Sequence, residues 1–320
     1  MAKSRHPRRG SMQFWPRKRS THSLVRVRSW ANESNAKPLG FIGYKVGMTH
    51  VMVNDTRAKS HTKGDSLQMA STIVECPPMV VAGVMFYKRH GTGVRKFTSV
   101  LAPNLPKFLK KVIQLPKKET KKVDDVTDFD DIRLLVFSNP AGLSVDSKTP
   151  KAIEIGIGGS KDDKVAYAKE VLGKELTIND VFETGNPADI HGVTKGKGFQ
   201  GTVKRFGVPI KQHKGEKIKR GIGNLGAWTP KRVDYRVPQT GKMGYHMRTE
   251  YNKQIIKIGE NGDEINRKGG MPHYGLVKGA YVLIKGGIVG PRKRPVLLAR
   301  AIRPTRNTPK QALEITYIAK

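Results

Sequence analysis

Between His191 and Arg248 the chain reads HGVTKGKGFQGTVKRFGVPIKQHKGEKIKRGIGNLGAWTPKRVDYRVPQTGKMGYHMR, and this stretch limits the possible folds more than any other feature. It holds nine Lys and five Arg against two acids, Glu216 and Asp234, and eleven of its residues are glycine. Its apolar positions keep neither a helical nor a strand period long enough to define a buried face. Ordering a backbone costs about 1–2 kcal/mol per residue, and too little apolar surface is present here to offset that. The core must therefore come from elsewhere in the chain. Phe199, Phe206, Trp228, Tyr235 and Tyr245 are spaced through the stretch, and Pro209, Pro230 and Pro238 stiffen it locally. Cations, glycines that permit close backbone approach and aromatic planes together suit a folded RNA surface. A solvated basic loop is the plainer alternative.

Charge extends that reading to the whole molecule. The formal net charge is +34 over 320 residues, with 37% hydrophobic content, enough for one large domain or two ordinary ones. Self-repulsion on this scale points to a polyanionic partner. Nucleic acid fits better than a membrane surface, because the cations lie in glycine-rich loops and tails and not on one face of an amphipathic helix. A single cysteine, Cys76, excludes a disulfide framework and a cysteine-based zinc finger. Its apolar neighbours predict a buried structural thiol. MAKSRHPRRG has charge but no apolar core, so no secretory signal is expected, and the longest apolar run, Met79 to Tyr87, is too short to span a bilayer. The expected location is the cytoplasm.

In chain order, residues 1–38 read as a basic arm, with nine Lys and Arg in the first 32 positions, no acid before Glu33, and Phe14, Trp15 and Trp30 as stacking or packing points. Residues 39–101 read as the first part of a β-barrel or sandwich. GFIGYKVGMTHVMVND, STIVEC, VVAGVMFYKR and Val94–Leu101 supply β-branched runs, with Pro77-Pro78 as a break. Residues 102–188 read as an α/β insertion of ordinary surface charge, facing away from the nucleic acid. Leu134–Phe137 and Ala152–Ile157 are its strands. Its helix runs from Ser160 to Leu172, capped by Ser160 with Asp163 and apolar at Val165, Ala168 and Leu172. Residues 189–250 form the basic glycine-rich extension. Residues 251–305 return to the barrel, with strands at Gln254–Ile258, Ala280–Ile284, Gly286–Val289 and Val296–Ile302. A tail, 306–320, ends in LEITYIA and adds a last strand. An excursion that leaves a barrel and returns to it is a reaching device.

No catalytic pattern survives inspection. Gly196-Lys197-Gly198-Phe199-Gln200-Gly201 and Gly221-Ile222-Gly223-Asn224-Leu225-Gly226 match the dinucleotide fingerprint in spacing, yet Pro209 and Pro230 leave no room for the long helix it must open. Thr202 stands where a phosphate loop needs Lys. The nine histidines show no metal-ligand spacing, and His191, His213 and His246 lie among lysines as RNA contacts or solvated rings. The acids Asp124, Asp125, Asp128, Asp130 and Asp131 read as a solvated loop with Lys-rich flanks. No enzyme, metal, cofactor or small-molecule substrate is expected.

Several segments together resemble the universal large-subunit ribosomal protein L-three family in its archaeal form. They are PRRGSMQFWPRKRS, Gly43 to Thr49, Val74 to Met79, GVTKGKGFQG, GAWTP, Gly244 to Thr249, MPHYG at 271–275 and KGGIVGPRKR at 285–294, in order over nearly the whole chain. The resemblance implies a mainly β fold: a split β-barrel of the translation-protein type with an α/β insertion, an N-terminal arm and a long basic central extension. It implies a structural, non-enzymatic constituent of the large ribosomal subunit that binds large-subunit rRNA beside neighbouring ribosomal proteins and acts early in assembly. The extension would reach towards the peptidyl-transferase centre with Trp228 at its tip. Thr229 departs from eukaryotic members, which carry His there, and His213 matches a histidine that they methylate.

The residues expected to meet rRNA are Arg5, Arg8, Arg9, Arg17, Lys18 and Arg19 in the arm, and Lys45. In the extension they are Lys195, Lys197, Lys204, Arg205, Lys211, His213, Lys214, Lys217, Lys219, Arg220, Trp228, Lys231, Arg232, Arg236, Lys242, His246 and Arg248. Arg292, Lys293 and Arg294 complete the set. The alternative is a free RNA chaperone or general nucleic-acid-binding protein.

Overall fold

The β-branched runs become fourteen strands among the residues that a computed structural model describes, 10–57, 60–116, 121–215, 217–305 and 312–320. In order these are β1 (Gly40–Asn54), β2 (Ser66–Glu75), β3 (Met79–His90), β4 (Gly93–Leu101), β5 (Asp131–Ser138), β6 (Lys151–Gly156) and β7 (Glu175–Leu176). Then come β8 (Pro187–Val193), β9 (Phe199–Gln200), β10 (Gly241–Lys242), β11 (Met247–Gly259), β12 (Tyr281–Lys285), β13 (Pro295–Arg300) and β14 (Glu314–Ile318). The α-helices are α1 (Lys161–Val171) and α2 (Thr202–Phe206). The protein is mainly β. Its contacts divide it into two units, Ser23–Gly192 with Arg248–Lys320, and Met1–His22 with Val193–Met247.

The larger unit holds the core. Hydrogen bonds link strands in the order β13-β8-β11-β12-β2-β1, and β1 pairs again with β13, so the ladder closes into a six-stranded ring. β1 makes the closure because fifteen residues reach two partners on one edge. Gly40–Tyr44 pair with β13, and Val51–Asn54 pair with β14, the strand expected from LEITYIA. The ring strands carry consecutive buried residues, such as Ile255–Ile256, Tyr281–Ile284 and Val296–Leu298, so both of their faces are covered.

The second sheet runs β4-β3-β5-β6, with β7 also on β3. Sequence pattern assigned β3 and β4 to the barrel with residues 39–101, and here the structure differs. Pro77 and Pro78 have no N–H to donate, so the ladder stops at Glu75 and the chain changes sheets. One continuous core nevertheless runs through both, from Phe41 and Ile42 to Val81, Phe86 and Val136. α1 packs on β5 and has the Ser160–Asp163 capping box. Ala168 and Val171 are buried, with Val165 and Leu172 partly so. The acids of the 124–131 loop are engaged locally. Lys169 pairs with Asp124, Lys88 with Asp128 and Lys164 with Asp131, while Asp130 accepts the Arg89 N–H.

Two readings of strands are corrected. Gly286–Val289 is not a strand: Gly286 sits at φ +77°, and the chain bends there while its N–H donates to Ala70. Ile288 and Val289 are apolar because they pack. β8 was hidden because Asp189 and His191 break its apolar pattern, yet both are buried. Asp189 accepts N–H bonds from Asn252 (2.8 Å) and Ile302 (3.1 Å), and His191 Nδ1 meets Thr249 Oγ1 at 2.9 Å. His191 and Met247–Glu250 are thus strand residues at the two ends of the basic stretch. Buried Glu75 serves similarly, accepting from the Tyr274 hydroxyl and the Lys278 and Gly279 N–H groups. Cys76 is a buried free thiol, as its neighbours predicted, and burial pushes its pKa up.

Candidate nucleic-acid interface

The smaller unit spans 77 residues with twenty Lys and Arg against two acids, so more than half of the formal charge lies on under a quarter of the length. Its means of order are local. The chain leaves after β8 and returns at β11, and the two limbs are laced together. Thr194 N–H donates to His246 O, Lys197 N–H to Met243 O and Met243 N–H to Gly198 O, at 2.8–2.9 Å, and β9 pairs with β10. Beyond this stem, α2 is only five residues long and is stopped by Gly207 in the left-handed conformation, in line with the expectation that no long helix opens here. Thr202 Oγ1 donates to Arg220 O, Arg205 Nη1 to Gln239 O, and Lys211 N–H to Lys219 O.

The arm packs on that stem through cations and rings. Ser11 caps a short 3-10 turn at Met12–Phe14. Trp15 meets Tyr235 edge-on at 5.3 Å. Arg17 lies 4.1 Å over Phe206 and 5.2 Å over Trp15, and Arg19 lies 5.3 Å over Tyr245. Ser20 N–H donates to Tyr245 O, and His246 Nδ1 meets Lys18 O at 2.9 Å. Each cation–ring contact contributes about 0.5–1 kcal/mol when exposed and more when desolvated. Phe206, Tyr235 and Tyr245, expected as planes for RNA, each also contact the arm. The signal available was the alternation of Trp15, Arg17 and Arg19 in the arm with aromatics in the stretch.

The predicted contact residues divide accordingly. Lys18, Arg19, Lys195, Lys197, Lys204, Lys211, His213, Lys214, Lys217, Lys219, Arg220, Lys231, Arg232 and Lys242 are all exposed on this unit. Trp228 is 84% exposed, with the Lys231 ammonium 6.0 Å from its ring. Arg17 and Arg205 are half-buried against Phe206. Arg236 is exposed but bidentate to Asp234, and those bonds hold the Asp234 carboxyl down at about 2. His246 is buried, so its ring faces protein and not solvent. Arg5, Arg8 and Arg9 lie outside the described residues.

The remaining four, with Arg248, belong to the larger unit. Lys45 donates to Ile288 O (2.6 Å) and Gly290 O (2.9 Å), and burial lowers its pKa, so it fastens a turn. Lys293 pairs with Asp146 at 2.9 Å, whereas Arg292 is exposed and Arg294 half-buried. Arg248 is half-buried, with its pKa lowered by burial.

A surface of this kind neutralises closely spaced anions on an irregular framework, and it does so in a salt-dependent way. Among the described residues no group of His, Cys, Asp and Glu could hold a metal ion, and no helix is long and apolar enough to cross a membrane.

Comparison with known proteins identifies the family. A family model described as Ribosomal protein L3 matches residues 1–319. The large ribosomal subunit protein uL3 of Methanocaldococcus jannaschii is 46% identical over 322 residues, covering 98% of this chain and 96% of that protein. The proteins of the same name from Archaeoglobus fulgidus (43% identical; 95% and 94% covered) and Methanopyrus kandleri (41%; 98% and 90%) are similar over comparable lengths.

Proposed function

The chain belongs to the ribosomal protein L3 family, and from that premise we propose that it is a structural, non-enzymatic constituent of the large ribosomal subunit in the cytoplasm. In this reading it binds large-subunit rRNA beside neighbouring ribosomal proteins and acts early in assembly. The closed ring of strands is the split β-barrel of the translation-protein type, and residues 189–250 are the central extension, which reaches towards the peptidyl-transferase centre.

One observation carries the reading: fourteen exposed cationic or imidazole side chains share a unit with an exposed indole, over a backbone ordered by its own stem. The exposed cations would neutralise phosphates, with Trp228 packing or stacking at the tip. Ultraviolet crosslinking in cells, followed by sequencing of the attached RNA, tests it. Crosslinks from residues 193–247 should fall at a few sites in large-subunit rRNA, some near the peptidyl-transferase centre. Crosslinks scattered over many messages would replace this reading with that of an RNA chaperone.

Trp228→Ala separates the tip from the anchor. The side chain is exposed, and exposed substitutions usually change stability by within about 0.5 kcal/mol, so subunit yield should stay near normal. Transfer-RNA accommodation or sensitivity to peptidyl-transferase antibiotics should change several-fold, on the scale of a stacking contact of roughly 1–3 kcal/mol. Wild-type behaviour in both assays would remove the tip role.

A further inference from the structure

Within the basic unit a cavity of about 440 Å³ is lined by Trp15, Arg17, Arg205, Phe206, Asp234 and Tyr235 among others. That size is in the range of small-molecule sites. Its walls mix three chemistries. Trp15 and Tyr235 present aromatic surface, and Tyr235 is 70% exposed beside its edge contact with Trp15. Arg17 and Arg205 supply two guanidinium groups. Asp234 supplies a carboxylate, fixed by the Arg236 N–H, Nε and Nη2 at 2.8–3.1 Å. Two donors on these walls, Trp15 Nε1 and Arg205 Nε, are buried and have no acceptor. Buried donors are almost always paired in native proteins, so these two suit an occupant that carries acceptors.

We propose that this cavity takes one nucleotide extruded from folded RNA, its base against Trp15 and Tyr235 and its phosphate on Arg17 and Arg205. The proposal rests on the rRNA-binding reading above and adds a discrete site to it. A bare phosphate would suit the two arginines but meet the Asp234 carboxylate. An aromatic side chain from a neighbouring protein would leave Trp15 Nε1 and Arg205 Nε without an acceptor. A nucleotide answers all three walls: it has a π-face, acceptors for the two orphan donors and an anion, and a base with an exocyclic amine can donate to Asp234.

The test uses large subunits assembled in cells on wild-type, Tyr235→Ala or Trp15→Phe protein, with the rRNA probed by dimethyl sulfate and kethoxal. One nucleotide outside the helices should be shielded in wild-type subunits. It should become roughly tenfold more reactive with Tyr235→Ala, the scale of one lost base–aromatic stack. Phe199→Ala, an equally exposed aromatic that does not line the cavity, should leave that nucleotide shielded. Trp15→Phe keeps a ring and removes only the N–H, so it should raise reactivity at the same nucleotide by less. As a readout that needs no variant, ultraviolet irradiation of wild-type subunits should leave a mononucleotide adduct on the peptide carrying Trp15 or Tyr235. If rRNA crosslinks form on this unit but no nucleotide responds to the variants and no adduct appears, the pocket assignment is overturned while the rRNA-binding reading stands. A neighbouring protein crosslinked to Tyr235 would also overturn it. Absence of any rRNA crosslink from the wild-type unit would overturn both.

Discussion

Val81→Asp is expected to abolish large-subunit formation on this protein. Val81 sits in β3 with no exposure; its N–H donates to Lys174 O and its carbonyl accepts from Gly173, so the strand cannot turn the residue outward without breaking the sheet. Its side chain belongs to the continuous core beneath both sheets. A carboxylate placed there has no partner, and leaving a charge buried and unpaired costs several kcal/mol. Total stabilities are about 5–15 kcal/mol, so most of the folded population should be lost. Val81→Ala is the control. At ~0.8 kcal/mol per buried methylene it should cost about 1–2 kcal/mol and still fold. Thermal unfolding of the free proteins and the subunit peak in sedimentation read the difference. Normal yield with Val81→Asp would mean that β3 does not pack as described.

The second large effect belongs to the stem. Gly244 lies at φ +78°, and a Cβ there would stand 2.1 Å from Lys195 O and 3.0 Å from Gly196 Cα. Left-handed backbone costs a non-glycine residue about 1–3 kcal/mol by itself. The overlap is with backbone, which yields only if the two limbs separate. Gly244→Ala should therefore unlace the stem while the ring and second sheet melt as in wild type. Trypsin should cut the free variant faster at Lys195, Lys197 and Lys242, and its affinity for large-subunit rRNA should fall about tenfold or more, the equivalent of ~1.4 kcal/mol. Gly223→Ala, where a Cβ meets open space, should do neither. Equal behaviour of the two variants would show that glycine content, and not this contact, is what the stretch requires.

Much of this was legible along the chain because it is local. β1, β4, β5, β6, β12 and α1 follow from β-branched runs, turn residues and a capping pair, and Trp228 is exposed where Gly226 and Pro230 break any periodic pattern. What escaped depends on partners far away in sequence. That β3 pairs with β5 and not with β2 cannot be read from the valines of either. β8 carries Asp189 and His191, whose burial makes sense only with Asn252, Ile302 and Thr249 in place. The same holds for the candidate interface. Lys45, Lys293, Arg236 and His246 read as cations for RNA from composition, yet each has a partner within the protein. The stretch is too poor in apolar surface to build a core of its own. Ladder bonds and guanidinium–ring stacking supply what apolar burial does not.

The joining of the arm to the stem also sets a schedule. Ser20 and Tyr245, and Lys18 and His246, meet across more than two hundred residues, so the first part of the unit to be synthesised waits for the last. At ~5–20 residues per second that interval is on the order of 10–45 s. Throughout it the cations and indole of the arm protrude from the nascent chain without their protein partners, open to capture by whatever polyanion is near. β13, which closes the ring, emerges later still. Every piece of the basic unit therefore leaves the exit tunnel before the larger unit can close, and a cell that makes this chain must shield the first from stray nucleic acid while the second is still incomplete.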